Sequence, residues 1–206
     1  MGLMKATARP DAALPGEADL APASITDPDP AIRRRAVQAL GVAGNAEGDA
    51  VETLVWVLRS EPDRSVRQAA FSALATNGSL EAAQATASLL ADDDPALRNG
   101  ALEALGAMPD AATALLEPLG HHADPDVRSF AVLLAAGLHR AEACDWLIAR
   151  AASEAEPNVA AHLAEALGGT GAPGAAAALE GIRARFAGSA YLGFAVDMAL
   201  RRLDDA

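Results

Sequence analysis

Apolar residues recur along the chain in a helical pattern that restarts several times in one register. After each acidic turn an apolar residue opens a stripe, at Ile32, Val66, Leu97, Val127, Val159 and Leu192, spaced roughly 30 to 34 residues apart. Four positions on stand Ala36, Ala70, Ala101, Ala131, Leu163 and Val196. Seven positions on come Ala39, Ala73, Ala104, Leu134, Ala166 and Ala199, and eight on come Leu40, Leu74, Leu105, Ala135, Leu167 and Leu200. On a helix these positions share one face and form a stripe broad enough to meet a core. Between them lie partner segments near 46–59, 79–91, 109–121, 140–153 and 173–187, where Val51, Leu54, Val55 and Leu58 repeat the helical spacing. No strand pattern competes, so the expected class is all-α. A repeat of this length predicts a solenoid, whose units bury their apolar faces only against neighbours. Six units are expected near 18–42, 46–76, 79–107, 109–138, 140–169 and 173–204. Residues 1–17, with Pro10, Pro15 and Gly16, are expected to form a flexible tail ahead of a repeat domain over 18–206, opened by a short helix near 19–25.

The turns supply the start signals. D-P-D-P at Asp27, E-P-D at Glu61, D-P at Asp94, D-P-D at Asp124 and E-P at Glu156 put a carboxylate over free N–H groups and often a proline where no donor is needed. Gly41, Gly106, Gly137 and Gly168, at or near the end of four of the six stripes, are expected to be left-handed residues that release the chain.

These units, D-P-D-P-A-I-R, E-P-D-R-S-V-R and D-P-D-V-R running on into Ala-rich helix and Leu-Gly, resemble HEAT repeats of the short bacterial type found in phycobilisome lyase proteins. The resemblance covers roughly residues 18 to 204. The T-P-L-H and W-x-x-L-G signatures of ankyrin and tetratricopeptide repeats are absent. The resemblance implies an armadillo-like α-solenoid of about six helix-turn-helix units. It also implies an Arg–Asp ladder joining the units, carried here by Arg33, Arg67, Arg98 and Arg128 with Asp29, Asp63, Asp94 and Asp126. Ala160 and Gly193 replace the arginine in the last two units, so the ladder is expected to end after the fourth.

Charge narrows the partners. The chain carries 16 Lys and Arg against 28 Asp and Glu, a net charge of -12. That argues against nucleic acid, whose binding draws on clustered cations, and against an anionic membrane surface. Arg33, Arg34 and Arg35 are the one basic run, too small for a DNA track on such a chain. No apolar run approaches a membrane span. The opening M-G-L-M-K-A-T-A-R-P lacks an apolar signal core, and the single cysteine, Cys144, cannot close an internal disulfide. The expected location is the cytoplasm.

Little in the chain suggests catalysis. The turn acids Asp27, Asp29, Glu61, Asp63, Asp92, Asp93, Asp94, Asp124, Asp126, Glu154 and Glu156 are read as helix-start residues, which the helix dipole favours. His121, His122, His139 and Cys144 match no zinc spacing, and His162 is read as a packed residue at a repeat boundary. No nucleophile elbow, H-E-x-x-H or phosphate loop occurs. No cofactor or metal is expected. The expected function is a non-enzymatic scaffold, adaptor or assembly factor binding another protein on the concave face, which the resemblance implies is lined by the second helix of each unit. Its outward positions are Arg34, Gln38, Gln68, Ser72, Asn99, Glu103, Ser129, Leu133, Ala161, Glu165, Phe194 and Met198. Of these, Leu133, Ala161, Phe194 and Met198 are expected to form an exposed apolar patch. The alternative implied by the resemblance is a subunit of a lyase-type enzyme handling a phycobilin or other tetrapyrrole.

Overall fold

The computed structural model describes residues 22–43 and 49–205. The tail expected at 1–17, and the start of the helix expected near 19–25, lie outside them; the described part of that helix is a short 3-10 helix, Pro22–Thr26. Eleven α-helices follow among the described residues: α1 Pro30–Ala43, α2 Asp49–Ser60, α3 Arg64–Asn77, α4 Leu80–Ala87, α5 Pro95–Gly106, α6 Pro109–Gly120, α7 Pro125–Leu138, α8 Ala141–Ala151, α9 Pro157–Leu167, α10 Ala175–Arg185 and α11 Ala190–Asp204. A 3-10 turn, Ser88–Ala91, extends α4.

The helix starts are built as the turns require. The Asp63 carboxylate accepts the backbone N–H groups of Ser65 at 2.8 Å and Val66 at 3.3 Å. Asp29, Asp94 and Asp124 accept those of Ala31, Ala96 and Asp126 in the same way. A second acid two residues earlier accepts the N–H of the capping residue itself: Asp27 for Asp29, Glu61 for Asp63, Asp92 for Asp94, and Glu154 for Glu156. The turn is therefore pinned from both sides before the helix begins.

The helices stack in two layers. Odd-numbered helices pack in sequence from α1 to α11, even-numbered ones from α2 to α10, and each even helix also packs on the odd helix that follows it. One continuous core runs between the layers from Val37 to Ala199. Of the first stripe residues, Val66, Leu97, Val127, Val159 and Leu192 are buried, as is every residue four positions on. Burial loosens at the ends, where Ile32, Ala39 and Leu40 of α1 and Leu200 of α11 are only half-buried. Those helices have an odd-numbered neighbour on one side only.

The glycines act differently from the expectation. Gly41, Gly106, Gly137 and Gly168 are not left-handed; the positive φ values belong to Gly78, Gly171, Gly174 and His139. A Cβ on Gly41 would stand 2.7 Å from the Cα of Ala73, and one on Gly168 would stand 2.8 Å from the Cα of Ala199. Here the missing side chain lets the next odd helix come close, so these glycines are packing residues. Gly168→Ala should therefore destabilise the chain by about 1–3 kcal/mol, because the obstacle is backbone and cannot rotate away. Gly106, with nothing within 4 Å of its would-be Cβ, should accept Ala at no loss. Urea midpoints of the two variants check the contrast.

Candidate functional site

An ionic ladder joins the turns that start the odd-numbered helices. Arg33 holds Glu61 with two parallel hydrogen bonds, both 2.8 Å, and its Nη1 donates to the carbonyl oxygens of Asp27 and Pro28. Arg128 repeats this arrangement: two bonds of 3.1 Å to Glu154, and Nη1 to the carbonyls of His122 and Ala123. Each arginine thus ties its own turn to the turn of the next unit. The carboxylate that receives it is the acid two residues before the helix cap. This corrects the expected partners: Asp29 and Asp63 are caps, and Asp126 lies exposed in the first turn of α7.

The two intermediate rungs differ for local reasons. Arg67 comes only within 4.0 Å of Asp94. The matching acid there is Asp92, one methylene shorter than glutamate and turned back onto the N–H of Asp94 at 3.0 Å. Arg98 donates to the carbonyls of Asp92 and Asp93, but the next unit offers His122 where others offer an acid. Beyond the fourth unit the arginine is gone, as expected, and Ala160 is fully buried. Arg185 of α10 serves instead, donating to the carbonyls of Ala151, Glu154 and Ala152 and so joining unit six to unit five from the even layer.

Glu154 is the strongest of these points. It is buried and receives Arg128, the Nη2 of Arg150 at 2.8 Å, and the N–H groups of Ala155 and Glu156. Burial alone would raise its pKa, but the bonds from Arg128, Arg150 and the Glu156 N–H outweigh it and hold the carboxyl down at about 2. The Arg33 guanidinium likewise lowers the pKa of Glu61.

The outward positions of the odd helices form the candidate interaction face. Arg34, Gln38, Gln68, Ser72, Asn99, Glu103, Leu133, Glu165 and Phe194 are exposed and Met198 is half-exposed. Ser129 and Ala161 are buried, Ala161 to 7% exposure, which corrects the expected patch. Both side chains are too short to rise above their neighbours, and Ala161 lies in a cleft between α9 and α11 beside Phe194 and Tyr191. The large apolar residues of that patch do stand out, Leu133 at 43% and Phe194 at 65% exposure.

Two clefts open on this face. One, about 490 Å³, lies between α7, α9 and the start of α8 and is lined by Leu133, Ala136, Cys144 and Ala166. The other, about 350 Å³, lies between α9 and α11 and is lined by Ala161, Tyr191, Phe194 and Met198. His162 and Glu165 line both and so divide them. The Nδ1 of His162 is buried without a hydrogen-bond partner, although its ring is only half-buried. His162 is thus a wall of these clefts as well as a residue of the repeat boundary.

The other histidines are scattered. His121 and His122 cap the α6–α7 turn through Glu117 and Asp124, while His139 and Cys144 border the first cleft. Among the described residues no three of His, Cys, Asp and Glu converge as they would around a metal ion. None of the described helices is long and apolar enough to cross a membrane.

A feature of the even layer went unread in the sequence. Trp56 of α2 is 53% exposed and stands between a cleft of about 610 Å³ shared with α4 and one of about 420 Å³ beside Ile25 and Thr26. The available signal was its place outside the Val51, Leu54 and Leu58 stripe.

The chain is similar to several known proteins. Among solved structures the chain is similar to human deoxyhypusine hydroxylase, at 20% identity over 88% of this chain and 82% of that one, with a TM-score of 0.47. It is similar to the archaeal HEAT-like repeats protein from Thermococcus onnurineus NA1, at 14% identity over 89% and 85%, with a TM-score of 0.45. It is similar also to the CpcE and CpcF complex of phycocyanin lyase from Nostoc sp. PCC7120, at 23% identity over 84% and 73%, with a TM-score of 0.32. Comparison with curated proteins gives no match. The family model for HEAT repeats matches residues 17–106, 51–121 and 112–185. Two stacked helical layers, a repeating cap and turn, and this match along most of the chain place the protein in the HEAT-repeat family.

Proposed function

We propose that the chain is a non-enzymatic scaffold or adaptor that binds another protein on the outward face of its odd-numbered helices, centred on α7, α9 and α11. The supporting observation is the pair of adjoining clefts flanked by Leu133 and Phe194, large apolar side chains left exposed on the face away from the buried stripe. Exposed apolar groups beside concave, mostly preformed space favour association by removing apolar surface from water. The ladder contributes rigidity, since Arg128 and Glu154 hold α7 against the turn that starts α9.

The test is paired. Leu133→Glu and Phe194→Glu are made separately, and each is used with the unaltered chain in affinity capture from the native host. Both variants should keep the unfolding free energy within about 0.5 kcal/mol of the parent, as exposed sites do. Both should lose a saturable protein partner that the parent retains. A large stability loss at both positions, or equal capture by all three chains, would sink the reading.

A further inference from the structure

The third rung of the ladder holds an arginine whose carboxylate-gripping edge meets no carboxylate. In the two complete rungs the guanidinium is divided: Nη1 is held by two carbonyl oxygens of its own turn, and the Nε and Nη2 edge grips both oxygens of Glu61 or Glu154. Arg98 is fixed in the same manner, its Nη1 donating to the carbonyl oxygens of Asp92 at 2.7 Å and Asp93 at 2.9 Å, and it is half-buried like Arg33 and Arg128. Its Nε and Nη2 have no acceptor among the described residues, and they are not sealed from water. One residue causes the difference. His122 stands at the offset of Glu61 and Glu154, and its Nδ1 accepts the N–H of Asp124 at 3.1 Å. A ring nitrogen that accepts carries no proton, so the proton belongs to Nε2 and the ring keeps no acceptor for a guanidinium.

We propose that the Nε and Nη2 edge of Arg98 binds a carboxylate supplied from outside the chain, at the joint between the turns that start α5 and α7. A guanidinium edge matches the two oxygens of a carboxylate with parallel bonds. The carbonyl bonds to Nη1 have already fixed the side chain, so little freedom is lost when the edge is engaged. Neighbouring acids do not oppose this. Asp92, Asp94 and Asp124 each accept a backbone N–H, as Asp27, Asp29 and Asp63 do around Arg33, which takes Glu61 in their midst. The one further acid of the turn, Asp93, is exposed and meets Arg98 through its carbonyl oxygen. His122 in the facing turn is exposed and carries a donor, so it leaves the approach open and adds no negative charge. Arg98 lines neither cleft of the outward face, so this site stands or falls apart from the scaffold reading.

Arginine Nε–H resonances of the full chain read each edge separately by NMR, with the Arg98 signal assigned by its loss in Arg98→Lys. The probes are propionate, a capped Ala-Glu-Ala tripeptide and inorganic phosphate, titrated at constant ionic strength. Propionate should move the Arg98 signal saturably toward those of Arg33 and Arg128, which should stay in place because Glu61 and Glu154 already hold them. His122→Glu is the decisive variant, since it places a carboxylate of the chain itself at the offset used in the complete rungs. His122 is exposed, so this variant should fold and unfold at a urea midpoint no lower than the parent's. Its Arg98 signal should start at the shifted position, and propionate should bind at least about tenfold more weakly. Equal responses to propionate and the tripeptide assign the site to carboxylates of either source, and a response to the tripeptide alone assigns it to an acidic side chain of a protein. Absence of any saturable response, a stronger response to phosphate than to both carboxylates, or propionate binding that ignores His122→Glu would each overturn the inference.

Discussion

Replacing Glu154 with Gln should cost about 3–5 kcal/mol of stability, because the substitution keeps the shape but leaves Arg128 and Arg150 facing a neutral amide in a buried site. Urea denaturation of the two chains at neutral pH measures it. The pH dependence follows with a definite sign. The carboxyl's pKa is depressed from 4.5 to about 2 on folding, so its stabilising contribution is complete above the unfolded value. It is lost as pH falls from about 4.5 through 2, amounting to about 3 kcal/mol in all. In Glu154→Gln this component of the acid transition should vanish, and the difference between the chains should shrink as pH drops. A difference that stays constant down to pH 2 would mean that the ion pairs contribute nothing beyond packing.

What could be read from the sequence divides along physical lines. Helix register is local: Val66, Ala70 and Leu74 repeat at helical spacing whatever surrounds them, and all three are buried. The caps are also local, since Asp63 reaches an N–H only two residues on. The ladder was legible in its arginines and misread in its acids. An Asp one residue from the helix is spent on capping, whereas Glu61 and Glu154, with an extra methylene, can serve both the cap's N–H and a distant guanidinium. That signal was present as Glu at the same offset in two turns. The roles of Gly41 and Gly168 were not legible, because they depend on how near Ala73 and Ala199 come, and interhelix distance is a tertiary quantity. The same limit applies to Ser129 and Ala161. Their positions on the helix face outward, but the height of their neighbours decides whether water reaches them.

Leu105→Ala should cost about 2–5 kcal/mol, against a few tenths for Gln68→Ala on the surface of α3. Leu105 is fully buried in α5, which packs on α3, α4, α6 and α7. In a repeat array each unit is held only by its neighbours, so a cavity in the middle weakens the coupling between the halves as well as the unit itself. The lesion has few routes around it, because the rungs on either side are the incomplete ones: Arg67 is 4.0 Å from Asp94, and Arg98 bonds only backbone carbonyls. Hydrogen exchange should therefore show α4 to α6 losing protection first, while α7 to α11, tied by Glu154 and Arg185, keep theirs. A parent that unfolds in one transition should give two in Leu105→Ala, with the C-terminal part the more resistant. Uniform loss of protection from α1 to α11 would show instead that the array unfolds as one unit and that the central rungs are stronger than their geometry indicates.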